Sequence, residues 1–196
     1  MARPREFDED AVLDAAVLCF WSRGYDATSV RDLMENTGLT AASLYNAFGD
    51  KRAIYEKALE RYVETSIADR IQRFEALPPR DAIAAFFEEI VARSLADRER
   101  KGCLLVNAAL DVAPHDPDFR KFVTAVLGEI EAFFLARLKA GQADGSISQS
   151  LPAATLSHHL LGVLMGLRVL ARVRPERDLL EGVFAPSLEM LDNRGR

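Results

Sequence analysis

The chain has 196 residues, 49% apolar and 28% charged, with a formal net charge of −5. That length and composition allow a sizeable core without disulfides or metal, and exclude disorder and a uniformly basic, nucleic-acid-coating protein. Two cysteines, Cys19 and Cys103, make no disulfide framework and fit a reducing, cytoplasmic setting. The opening stretch runs through Arg3 and Arg5 into the acids Asp8, Glu9 and Asp10, without the apolar run of a signal peptide. The uncharged segment from Gly145 to Leu167 contains Pro152, His158 and His159, so no membrane span is expected.

Helical spacing dominates from there on. Val12, Ala16 and Phe20 predict a first helix, opened by acids and stopped by Gly24. Ser29 and Asp32 stand at capping-box spacing ahead of Leu33 and Met34, and Gly38 ends this short second helix. Thr40 caps a third helix that turns Leu44 and Phe48 inward. After Gly49-Asp50, a long fourth helix is expected from Lys51 to Phe74, before Pro78-Pro79. A fifth carries Phe86, Phe87 and Ile90, and a short apolar sixth runs from Cys103 to Ala113. A seventh opens at Asp116-Pro117 with a broad apolar face ending near Phe134. Gln142 to Ser150 is expected to be a loop. An eighth helix then runs from Pro152 to about Arg172, and a ninth from Glu176 should be kinked or split by Pro186. No segment shows sustained period-two alternation. The fold class is therefore all-α, with about nine helices.

Residues 28 to 51 carry the functional signal. Two short helices joined by a glycine make a helix-turn-helix, whose second helix enters the major groove of DNA. The expected recognition helix buries only Leu44 and Phe48 and presents Thr40, Ala41, Ala42, Ser43, Tyr45 and Asn46. Small side chains permit close approach, hydroxyls and amides bond base edges, and methyls meet thymine methyls. An outward tyrosine on an uncharged helix suits phosphate and sugar better than it suits water.

The run from Thr28 to Leu59 resembles the DNA-binding domain of the TetR-type bacterial transcriptional regulators. Gly38-Leu39-Thr40, Leu44 to Phe48 and Asp50-Lys51 are the most specific part. Met34 and Thr37 depart from the alanines usual there. The resemblance implies a DNA-binding domain over residues 1–50 and a helical ligand-binding and dimerisation domain over residues 51–196. It implies phosphate contacts from Thr28, Ser29 and Arg31, base or backbone contacts from residues Thr40 to Ser43, Tyr45 and Asn46, and a phosphate clamp at Lys51. Arg3 and Arg5 would form an arm on the DNA. Its implied partners are a double-stranded palindromic operator, a small-molecule inducer and a second copy of the chain. Residues 1 to 60 hold 7 cationic against 11 acidic side chains, so roughly two to three neutralised phosphates per subunit are expected.

The C-terminal part is less explicit. The helices near 152–172 and 176–192 are the dimerisation candidates, because the first is apolar on more than one face and Gly162 and Gly166 allow close approach. Phe86, Phe122, Asn107 and His159 are candidate ligand contacts, set against the plainer reading of a filled core. Cys103 follows the cationic run Arg98 to Lys101, which would favour its thiolate, so it is a candidate sensor of electrophiles or oxidants as well as an ordinary core residue. Arg168, Arg172, Arg174 and Arg177 read as cations gathered at a helix C-terminus, or as a second anionic site. The three histidines lack metal spacing, no phosphate-cradling loop occurs, and neither cofactor nor enzyme activity is expected. A helical binding protein that has lost effective DNA contact is the alternative.

Overall fold

The computed structural model describes residues 7–192, in which every regular element is a helix. The first, α1 (Glu9–Arg23), is capped by the Asp8 carboxylate, which accepts from the N–H groups of Asp10 and Ala11. Helices α2 (Val30–Thr37) and α3 (Ala41–Phe48) form the helix-turn-helix. Their turn is fixed by Gly38, whose φ of +72° lies in the left-handed region that favours glycine. The Thr37 hydroxyl donates to the Leu33 carbonyl and accepts from the Leu39 N–H, so this departure from alanine ties the turn to the helix before it.

Helix α4 spans 51–75 but is not a uniform helix. It runs α-helically through Lys51–Tyr62, widens to a π-helical stretch at Val63–Ala68, and resumes as Asp69–Glu75. Tyr62 and Ile67 are both buried although five residues apart, a spacing a regular turn would splay by about 140°. The widened turn brings both inward.

The remaining helices are α5 (Pro79–Ala96), α6 (Leu104–Asp111), α7 (Pro117–Asp144), α8 (Ala153–Val173) and α9 (Arg177–Leu191). Their core is a block of phenyl rings: Phe87 stacks between Phe134 and Phe184 at 5.7 and 5.5 Å, and Phe86 meets Phe133 and Phe134. Helix α7 reaches three residues, Gln142 to Asp144, into the expected loop. Its Gly141 has no side chain because Ile147, on the returning chain, occupies that space. Pro186 does not split α9. Gly182, whose carbonyl loses a partner, sits with Pro186 on the exposed side, where water can take over that bond. Helix α8 is long and apolar enough to cross a bilayer by length and composition. Its buried stripe of Leu156, Leu160, Leu164, Leu167 and Ala171 is nonetheless part of the core, between α7 and α9.

Candidate nucleic-acid interface and effector cavity

Helix α3 is anchored by Leu44, fully buried, and Phe48. Its N-cap Thr40 accepts from the Ser43 N–H and lies 3.0 Å from the Ser43 hydroxyl. Thr40, Ala42, Tyr45 and Asn46 are exposed, and Ala41 and Ser43 partly so. Neither the Tyr45 hydroxyl nor the Asn46 amide has a hydrogen-bond partner among the described residues. Ser29 closes a capping box with Asp32, whose carboxyl is held below its usual range by hydrogen bonds from the Ser29 hydroxyl and N–H. Arg31 is exposed and pairs with Glu35. Lys51 sits 4.6 Å over the Tyr25 ring and donates to the Asp26 carbonyl, which aims its ammonium beside the turn ahead of α2.

Thr28 does not fit the role the resemblance implied. Its side chain is fully buried and its hydroxyl donates to the Gly24 carbonyl at 2.6 Å, so it braces the turn between α1 and α2 and cannot present that hydroxyl to a phosphate. Arg3 and Arg5 lie outside the described residues.

Several contacts join α1 to α4 and α4 to the helical body, among them Arg61 with Asp10 and Asp14 and the Trp21 and Tyr62 rings at 5.1 Å. Rings run from Phe20 through Tyr55 to Phe119 at 4.9 and 5.3 Å, linking α1, α4 and α7. Beside them Arg52 makes a two-pronged bond to Asp116, the N-cap of α7, at 2.7 and 3.0 Å. That guanidinium holds the Asp116 carboxyl down to about 2.

The candidate ligand residues do not gather. Phe86 is fully buried in the phenyl block, and Phe122 packs half-buried against the core. Asn107 is tied up by the Lys101 carbonyl and the Arg172 guanidinium. His159 is exposed and lies 3.0 Å from the Ser187 hydroxyl, between α8 and α9. Cys103 is buried, its sulfur accepting from the Tyr62 hydroxyl at 3.5 Å. Lys101, expected to bias that thiol, is instead paired with Asp97 and Glu99.

A cavity of about 600 Å³ lies elsewhere, between α1, α4, α5, the 97–102 loop and α8, and none of those five residues borders it. Trp21, Tyr62, Arg70, Arg93, Lys101 and Arg168 are among its walls. The signal for it was present in the spacing: Arg168 falls in step with Leu164 and Ala171 on the buried stripe of α8, and Arg70 is three residues past Ile67. The helix-terminus explanation fits Arg172 and Arg174, in the last turn and at the C-cap of α8, but not Arg168 on its buried stripe, nor Arg177, which opens α9 and pairs with Glu181.

Fold and surface together define a helix-turn-helix DNA-binding protein with a helical domain attached. Residues 12–58 match the bacterial regulatory proteins of the tetR family, and residues 79–185 match the tetracyclin repressor-like C-terminal domain. The chain belongs to the tetR family, whose members are DNA-binding transcriptional regulators and not enzymes. It is 32% identical over 195 residues to the HTH-type transcriptional regulator YezE of Bacillus subtilis (strain 168), covering 98% of this chain and 100% of the relative. It is 31% identical to the HTH-type transcriptional repressor ComR of Escherichia coli (strain K12), over 96% and 90% of the two chains. Among solved structures, a cysteine mutant of the TetR family regulator CifR, complexed with 26-bp double-strand operator DNA, superposes with a TM-score of 0.85 at 34% identity, over 97% of this chain and 100% of that one. Reduced E. coli NemR, at 19% identity, shares the fold, with a TM-score of 0.82 over 95% and 98% of the two chains.

Proposed function

We propose that this regulator is a cytoplasmic, homodimeric repressor that binds a palindromic operator through residues 1–50 and leaves it when a small inducer occupies the domain formed by residues 51–196. The observation that carries the reading is the outer face of α3: small, uncharged, and bearing a tyrosine and an asparagine with no internal partners. The operator complex of CifR supports binding to an operator, and the similarity to the repressor ComR supports the direction of regulation.

Dimerisation follows from reading length, since one short helix specifies too few bases and paired units bind half-sites about one helical turn apart. The exposed sides of α8 and α9 support it: Gly162, Gly166 and Gly182 leave a Cβ-sized space empty, and Val169, Val173 and Met190 are exposed beside them. A partner's helices would pack closely there.

The test is binding to the DNA upstream of the chain's own coding region, measured by fluorescence anisotropy. Tyr45→Ala combined with Lys51→Ala is expected to weaken binding at least about tenfold, the scale of one or two lost groove or phosphate contacts. Affinity unchanged in a double variant with intact circular dichroism would refute the reading.

A further inference from the structure

The cavity beside Trp21 holds an imbalance of charge that the folded chain itself does not resolve. Arg70 is 2% exposed and donates to Glu89 at 3.0 Å, but Glu89 also serves Arg73 and Arg93, at 2.7 and 3.1 Å. Arg168 is 9% exposed and has neither a hydrogen bond nor an ion pair among the described residues. Five cationic side chains border the cavity (Arg70, Arg93, Arg98, Lys101 and Arg168) against the carboxylates of Asp97 and Glu99, both already engaged by Lys101. This concentration of positive charge lies inside a molecule of net charge −5.

A guanidinium does not shed its proton, so a buried one without a counter-charge is a standing cost to the fold. Arg70 feels it: burial, and then the Arg168 charge, pull its pKa below the ordinary arginine value. The Trp21 indole N–H, on the same wall, also lacks a hydrogen-bond partner. Around these groups the wall is apolar, with Leu18, the Tyr62 ring and Ala171.

We propose that this cavity binds an organic anion, its carboxylate or comparable oxyanion held by Arg168 and its apolar body lying against Trp21, Tyr62 and Leu18. Such a ligand supplies the missing counter-charge in a desolvated site, where a charge-assisted bond is strongest. Its position has a mechanical consequence, which alone rests on the regulatory reading above. Leu18 and Trp21 belong to α1 of the DNA-binding unit, Arg168 belongs to α8, and the π-helical turn of α4 contributes Ser66 to the wall between them. Filling the cavity therefore fixes the angle between the two units, and an effector that prefers one angle shifts DNA affinity by that preference.

Trp21 is the sole tryptophan, so its emission reports the site. The probe is 1-anilinonaphthalene-8-sulfonate, an apolar anion that takes excitation energy from a nearby indole; the control is the uncharged N-phenyl-1-naphthylamine. The expected result is one bound anion per chain with quenching of Trp21, weakened about tenfold or more in Arg168→Met, with the neutral control changed less than about twofold, since only a charge-assisted bond is lost. Arg168→Met should also melt no lower than the wild type, because it removes a charge without a partner. Equal losses for both probes, an Arg168→Met affinity matching the wild type, or a variant that melts lower or fails to fold would each overturn the proposal. No DNA is present, so failure of the operator reading would leave this result untouched.

Discussion

Thr28 and Ser29 are adjacent in the chain and opposite in role. Ser29 is exposed and its hydroxyl caps α2, whereas the Thr28 hydroxyl is directed back to the Gly24 carbonyl from a fully buried site. Thr28→Val keeps the shape and removes the bond, so it should destabilise the fold by about 1 kcal/mol in urea titration. The affinity of the folded variant for operator DNA should not change; a loss of affinity at unchanged stability would return Thr28 to the interface. Motif position identified both residues, but the direction of a side chain depends on how α1 and α2 meet, which motif position does not encode. Arg168 shows the converse. Its spacing from Leu164 and Ala171 placed it on the buried stripe, while the attraction of cations to helix ends suggested an exposed role, and the stripe prevailed.

At the scale of the helices, caps and breaks were legible because each depends on one or two local side chains. Asp8, Ser29, Thr40, Asp50 and Asp116 all cap the helices they precede. What local pattern did not reveal are features set by a distant neighbour: the extra three residues of α7, the π-helical turn in α4 and the continuity of α9 through Pro186. Gly141 illustrates the first. A Cβ there would stand 2.5 Å from Ile147 Cδ1 and 2.6 Å from Cγ1, so the glycine is required by packing and not by backbone angle. Gly141→Ala is expected to cost about 1–3 kcal/mol by overpacking. Adding Ile147→Ala should recover part of that loss in thermal melts, because the second change removes the atoms that clash. Additive losses in the double variant would show that the contact is not the cause.

Across the whole molecule, individual charges set how the fold and the DNA-reading surface respond to solution conditions. Asp116 is held at about 2 by Arg52, against an ordinary 3.8. A depressed carboxyl stabilises the fold above its unfolded value and loses that contribution as pH falls from about 3.8 through about 2. Asp116→Asn keeps an effective N-cap and removes the ion pair, so its melting temperature should fall less steeply than the wild type's across that window. The salt response tests the interface itself. Arg31 is paired with Glu35, and Lys51 lies beside α2, so the described residues offer few cations to a phosphate backbone. With roughly two to three neutralised phosphates per subunit, log affinity against log salt should have a slope of about −4 to −5 for a dimer. A slope near −8 or steeper would mean that other cations reach the DNA. Arg3 and Arg5 are the first to replace, and restoration of the shallow slope in Arg3→Gln/Arg5→Gln would assign the excess to that arm.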